Sequence, residues 1–595
     1  MTQKLKISST LRCDVLIIGA GGAGLRCASA ILEKKPGTRI VAVTKVANPQ
    51  KSHTQTAQGG MAAVDPSDPI DKPIYHMFDT WKGSDCIADQ NIIKKIIEAG
   101  WEQAVWMENR GMHFTRMENG KLSKRTFGGH TVNFGESSAF RCVFEADRTG
   151  KGIMDNVWGE SLKGGTKFIN QAVVTELLIK GDRCVGAVIF KQKDGEFVSI
   201  VAKATVFATG GNGQVFKVTT NCRQNTGDGN AIILKAGLPV MDPEAIQFHP
   251  TIPVGWNWIA SGSIGGILRN EKLEPFMEYY APKMKELAPR DLVARAIETE
   301  IREGRGILNP DHNIEHVWID LRHLPNYVHD VEIPEVSGFF KKFINLDPKK
   351  DLCPVRPSNH YQMGGIPTNE NGEVQKNPRE MVPGLFAVGE CAAASFHGFN
   401  RLGTNSLLEL ITMGKFAGEK IIETLGENVP DAPEDAGERS FSLFSRFMDA
   451  GNKDNLGKIR EEMRNLMTEK VGVFRTEQGM NDAIEGLREL RERADKTVLA
   501  SQSLIMNQDL IQRWELNNLL DNAMVITKGA LNRKESRGGH FRDDFPERDD
   551  TLHYHTLVYK TGFEDVRLEK RPVDMSLYET KGEHYERFGV IERKY

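Results

Sequence analysis

Two groups of residues in this chain have the types and spacing to do chemistry. The first is glycine-rich. Gly19, Gly21, Gly22 and Gly24 follow an apolar run and precede a helical pattern, as in a turn that cradles a diphosphate. There the first glycine permits the tight turn, the second lets backbone approach the anion, the third lets helix and strand pack closely, and the helix N-terminus supplies N–H groups. Downstream, Lys51-Ser52-His53-Thr54-Gln55-Thr56-Ala57-Gln58-Gly59-Gly60 places an imidazole, a nucleophile, among small and polar neighbours. The second group is four segments, 247–251, 289–291, 359–365 and 397–403, which carry His249, Arg290, His360 and Arg401. Arginine's planar fork donates two parallel hydrogen bonds to a carboxylate, so together these residues suit a dianionic substrate. Singly, each has a plainer reading: a packed histidine, a loop histidine in an ordinary hydrogen bond, a surface-paired arginine.

The elements that must position them follow from apolar periodicity. Residues 14–18 form a continuous apolar run of the buried-strand kind, a helix follows over 25–35 until Pro36-Gly37, and 40–44 is the next strand. This βαβ unit of just over thirty residues lifts the glycine pattern above a chance match. Thr44 and Lys45 end its second strand, and Lys45 stands where an NAD-type site usually has an acid holding the ribose. NAD use is therefore disfavoured. Further glycine-rich strand ends lie at 206–213, with Ala208 and Gly210, and at 385–390, with Glu390. Asp228, in 225–229, reads as a turn residue. Ser406-Leu407-Leu408 opens an amphipathic helix whose free N–H groups and dipole suit an electron-rich partner. Residues 241–352 interrupt the α/β pattern. From 430 to 534 the pattern is helical, with opposite charges one turn apart at Glu485/Arg488 and Glu489/Arg493. The remainder, 539–595, is polar and aromatic.

With 595 residues the chain is too long for one core. A net charge of −3 and no basic block leave nucleic-acid binding without support. The eight cysteines are scattered without a Cys-x-x-Cys pair, against structural zinc, an iron–sulfur cluster or disulfides; no metal site is expected. No apolar run is long enough to span a bilayer, and residues 1–12 lack the features of a secretory leader.

Over nearly its whole length the chain resembles the flavoprotein subunits of succinate dehydrogenases and quinol:fumarate reductases. The motifs above carry the resemblance, with Gly128-Gly129, segment 146–150, and segments 533–540 and 544–550. It implies an α/β fold: a Rossmann-like FAD-binding domain (1–240 and 353–428) interrupted by an α+β capping domain (241–352), then a helical domain (429–538) and a small C-terminal domain (539–595). It implies FAD bound covalently through His53 and contacted by Gly19, Gly21, Gly22, Gly24, Thr44, Lys45, Ser52, Thr54, Gln58, Gly59, Gly60, Ala208, Gly210, Asp228, Glu390, Ser406 and Leu407. His249, His360 and Arg401 would bind succinate or fumarate, and Arg290 would deliver or accept the proton. Electrons would pass to an iron–sulfur subunit and on to a membrane anchor carrying quinone, with or without haem. The complex would lie peripherally on the cytoplasmic face of the inner (cell) membrane. Segments 533–540 and 544–550 would be part of a docking surface.

One stretch departs from the family pattern. Where the family has a threonine, a glutamate and a charged proton relay, this chain reads Ala260-Ser261-Gly262-Ser263-Ile264-Gly265-Gly266. Ser261, Ser263 and Arg269 are the candidates to substitute through water. Three other readings follow: an L-aspartate oxidase-like enzyme, an oxidoreductase of another dicarboxylate, or a non-catalytic electron-transfer flavoprotein. His53 and the C-terminal segments count against the first.

Overall fold

Val15 to Ile18, at the end of the strand Ile7–Ile18, are shielded on both faces of a parallel sheet, which accounts for the unbroken apolar run. In the computed structural model, which describes residues 5–260, 265–449 and 454–593, this strand pairs in parallel with Ile40–Val43 and Glu196–Phe207. Lys167–Ile169 extends the sheet beyond Ile40–Val43; Met381–Ala387 and Glu373–Gln375 extend it on the other side. An antiparallel hairpin, Ala172–Lys180 and Arg183–Lys191, completes eight strands. Hairpin and Met381–Ala387 share one edge of Glu196–Phe207, since Gly186 faces Val201 while Leu385 faces Thr205. The helices Gly22–Lys34 and Asn405–Thr424 pack on each other. Gly414 and Gly418 let them close, because a Cβ at either would lie 2.8 Å from a carbonyl oxygen of the first helix.

A second sheet of five strands is wholly antiparallel: Ile246–Pro253, Cys353–Gln362, Ile314–Asp320 and Ile267–Arg269 in order, with Ile307–Asn309 beside Ile314–Asp320. It has its own apolar core, including Val317, Ile319 and Val355. The helix Arg290–Glu300 packs on its first two strands. The α/β class and the interrupted FAD-binding fold agree with the sequence reading.

The helical region comprises Glu438–Asp449, Leu456–Lys470, Glu477–Lys496 and Gln508–Asn532. Asn455, Thr476 and Asn507 cap the last three, each accepting from a backbone N–H three residues on; such caps contribute about 1 kcal/mol each. Two charge expectations need correction. Arg488 pairs with Glu564, and Arg493 with Asp454 and Glu462, so tertiary partners displace the one-turn partners Glu485 and Glu489. Arg533, Glu535, Arg537, His540 and Arg542 are buried. Glu535 accepts from Arg533 and Arg537 at 2.9 Å, and Arg533 reaches Glu244 at 2.9 Å. These groups cross-link the chain internally, and what segments 533–540 and 544–550 offer to a partner is left to exposed groups such as Lys534, Asp544, Glu547 and Asp550. All eight cysteines are unpaired, and seven are buried. Among the described residues no helix is long and apolar enough to cross a membrane.

Candidate active site

Two adjoining cavities hold most of the singled-out residues. The larger, about 830 Å³, runs from the glycine turn past His53 to Arg290, His360 and Arg401. The smaller, about 80 Å³, is walled by His249, Arg290, Arg401, Gln58 and Gly59 among others, and shares both arginines with the first.

The glycine turn is shaped by close approach. Gly19 has φ +105°, and a Cβ there would lie 2.1 Å from the Ala208 carbonyl oxygen. Gly21 and Gly22 line the cavity, and the Gly22 N–H donates to Thr54 Oγ1 at 3.2 Å. Gly24 does not line it: a Cβ there would lie 2.6 Å from Gly19 O and 3.0 Å from the Ala208 and Ile17 side chains. Its place as a cofactor contact is corrected to one of helix–strand packing. Thr44, Lys45, Ser52, Thr54, Gln58, Gly59, Gly60, Ala208, Gly210, Asp228, Glu390, Ser406 and Leu407 all lie on the wall. Lys45 is engaged there, with Nζ 2.7 Å from Asp228 Oδ2, 2.8 Å from Glu515 Oε1 and 2.6 Å from Thr226 Oγ1. Burial alone would pull its pKa down, but the two carboxylates outweigh burial and raise it. Glu390 accepts from the Gln362 N–H at 3.2 Å, and burial pushes its carboxyl up to about 7.

His53 opens a 3-10 turn, His53–Thr56, and its Nδ1 lies 3.2 Å from Thr56 Oγ1. Gly150 packs beneath that turn, where a Cβ would meet Thr54 O at 2.0 Å. Burial, and then the charge of Arg401, lower the His53 pKa to about 4. The imidazole is therefore neutral at ordinary pH, as attack through a ring nitrogen requires.

His249 and His360 meet because the second sheet pairs their strands antiparallel, with His249 opposite Ser358 and a register shift beside each histidine. Their rings stand edge-to-face at 5.0 Å. His360 Nδ1 lies 2.8 Å from Thr220 Oγ1, and the Thr251 N–H donates to His249 Nδ1 at 3.3 Å. Burial and the nearby arginines hold both rings well below the usual imidazole value, so they are uncharged.

The positive charge comes from the arginines. Arg401 lies over the Tyr361 ring at 4.5 Å and donates Nη1 to Ser406 Oγ at 2.8 Å, while its buried Nε has no hydrogen-bond partner. Arg290 is the first residue of its helix and donates Nη1 to Gln247 Oε1 at 3.2 Å. Burial, and then Arg401, lower its pKa well below the ordinary value. Neither arginine forms an ion pair among the described residues. A buried cation, Arg401, and a half-buried one, Arg290, facing one cavity without an ion-pair partner are electrostatically incomplete, and a dianion completes them.

Behind this wall Glu409 Oε2 accepts from the Tyr361 hydroxyl at 3.0 Å and contacts His397 Nε2 at 2.9 Å. Thr404, before the Asn405–Thr424 helix, has φ +69°, a left-handed conformation rarely taken by a β-branched residue. Arg269 turns to Asp320 at 2.9 Å and lines neither cavity, which removes it as a substitute relay. Ser261 and Ser263 lie outside the described residues. Phe127, Thr220 and Glu515 are site residues that sequence reasoning missed; each comes from a distant segment without a motif of its own.

The larger cavity fits FAD. Its glycine cradle has no room for a Cβ at Gly19, a helix N-terminus opens at Gly22, and the neutral imidazole of His53 lines it. The comparisons agree. A family model for the FAD binding domain matches residues 14–407, and one for the fumarate reductase flavoprotein C-terminal part matches residues 460–595. The chain is 39% identical to the mitochondrial succinate dehydrogenase (ubiquinone) flavoprotein subunit of Oryza sativa subsp. japonica, over 96% of this chain and 92% of that one. It is 35% identical to the fumarate reductase flavoprotein subunit of Proteus vulgaris, over 95% of each. A solved quinol-fumarate reductase with menaquinol molecules has a chain that superposes with a TM-score of 0.88 at 34% identity, over 95% of this chain and 98% of that one.

Proposed function

We propose, because the chain belongs to the flavoprotein family of succinate dehydrogenases and fumarate reductases, that its paired cavities interconvert succinate and fumarate. It is an FAD-dependent oxidoreductase. The observation that carries the substrate class is the pair of arginines, half-buried Arg290 and buried Arg401, that share the small cavity without an ion-pair partner. Bound in the large cavity, FAD supplies the hydride acceptance and return that no side chain can.

The chain's own residues do the rest. Arg401 binds a substrate carboxylate through its fork. His249 and His360, both neutral, each offer one N–H and steady the charge that develops on a carboxylate as the adjacent carbon loses or gains its proton. Arg290 holds or takes that proton. An arginine is ordinarily too basic for the task; burial and the neighbouring Arg401 bring this one towards it. His53 is the covalent anchor of FAD, and Glu390 and the start of the Asn405–Thr424 helix hold it non-covalently.

The reading extends to assembly. Electrons leave for an iron–sulfur subunit and then a quinone-bearing membrane anchor, with the chain peripheral on the cytoplasmic face. The five-part division at 240, 352, 428 and 538 follows the same family plan. Anaerobic turnover of the FAD-loaded chain tests the function. Fumarate is offered against reduced viologen and succinate against an artificial acceptor, with malonate as inhibitor and aspartate as comparison. Malonate-sensitive turnover is the expected result; aspartate turnover alone would select an oxidase.

A further inference from the structure

The helix that presents Arg290 is fastened at its first turn by a side chain 302 residues further along. Arg593 Nη2 donates to Asp291 Oδ1 at 2.9 Å, and Nη1 donates to Asp291 Oδ2 at 3.1 Å and to Asp85 Oδ2 at 3.0 Å. Asp291 is the residue after Arg290, while Asp85 lies in the turn after the helix Pro73–Gly83. One guanidinium therefore ties the helix packed on the second sheet to a turn of a different part of the fold.

The segment that delivers Arg593 is itself fixed to that second part. Gln90 Nε2 donates to Phe588 O at 2.7 Å, Trp81 Nε1 to Gly589 O at 2.9 Å, and Arg548 Nη1 to Ile591 O at 2.9 Å. The Phe588 side chain is fully buried. Asp85 and Asp291 are both buried and close enough for each to feel the other's charge. Arg548 also pairs with Asp85, at 3.0 Å; Arg593 is the group that contacts both carboxylates, and without it their mutual repulsion away from water is less well offset. Arg295 also reaches Asp291, at 3.2 Å, and donates to Gly538 O at 2.9 Å, which secures the helix one turn further on. Arg593 secures the turn that carries Arg290.

We propose that Arg593 is a positioning residue for Arg290, bridging Asp291 to Asp85 and so setting where the Arg290 guanidinium stands at the wall of the small cavity. The proposal rests on the reading of Arg290 as the proton-handling group. Displacement of about 1 Å at such a group costs on the order of 10²-fold in rate. Arg593→Gln in the FAD-loaded chain should lower kcat by about that factor, with KM and malonate affinity within about threefold of wild type. Arg593→Lys should recover much of the loss. Added guanidinium should restore Arg593→Ala, and should do nothing for wild type. Hydrogen exchange of the Arg290–Glu300 helix should quicken in Arg593→Gln while that of the Gly22–Lys34 helix stays unchanged. This readout needs no turnover, so an inactive wild type would refute the substrate reading while the exchange data still decide the bridge. Normal kcat in Arg593→Gln, or unchanged exchange in the Arg290 helix, would overturn it. So would a uniform loss of protection, which marks general destabilisation.

Discussion

The two cavities bind by opposite means. At its glycine-turn end the large one is lined by glycines, small side chains and backbone, and the cation there, Lys45, is neutralised by Asp228 and Glu515. It recognises its occupant through shape and N–H groups. The small one is walled by Arg290, Arg401 and His249, and neither arginine has an ion-pair partner among the described residues. It recognises its occupant through charge. The contrast teaches where each is vulnerable: the first to added volume, the second to lost charge.

The sharpest way to break the contrast is to remove charge without volume. Arg290→Gln should lower turnover at least about 10³-fold, with FAD content unchanged and malonate still bound in flavin difference spectra. Near-normal rates would take Arg290 out of proton transfer. Adding volume without charge should do the reverse. Gly19→Ala meets the Ala208 carbonyl and a positive φ, so it should destabilise the chain by about 3 kcal/mol or more and yield protein depleted of FAD; full cofactor content would sink the shape argument. His53→Ser enlarges the large cavity locally but leaves the glycine cradle and the charges of both cavities as they are. The flavin should stay bound but become extractable by acid, with succinate oxidation impaired more than fumarate reduction. Flavin that survives acid precipitation in this variant would refute the link.

The smallest effect concerns pH. His249 and His360 are held well below their unfolded value of about 6.5. A depressed pKa contributes stability that is fully present above the unfolded value and lost as pH falls below it. Urea midpoints should therefore drop between pH 7 and 5.5. His360→Asn should lessen the drop by about 1 kcal/mol; identical slopes would show that the ring is charged in the folded state.

How much of this was legible depended on distance along the chain. The glycine turn, its strand and its helix are local, and the sequence reading placed the strand's end at Ile18 and the helix within three residues of Gly22–Lys34, while the strand itself begins earlier, at Ile7. The four site segments were recognisable because each carries its own motif. What brings them together is not written locally: His249 meets His360 through strand pairing across more than a hundred residues. Lys45 finds Glu515 with |i−j| = 470. Charge periodicity misled at Arg488 and Arg493, because a helix face shows which partners are near in sequence and not which ones tertiary packing brings nearer. The segments around 533–542 were expected on a docking surface, yet Arg533, Arg537 and Arg542 are interior, since arginines paired with Glu244 and Glu535 carry no outward sign of it.

The central sheet also governs when the molecule can acquire its cofactor. Ile7–Ile18 leaves the ribosome early, yet Glu196–Phe207 pairs directly beside it, Met381–Ala387 comes next, and the helix closing the site begins at Asn405. Loops of that length close slowly, so during synthesis the glycine turn is a half-built site with its apolar strand uncovered. Cofactor capture therefore waits at least until the Asn405–Thr424 helix has been made, and the uncovered strand of a nascent chain has reason to be shielded until then.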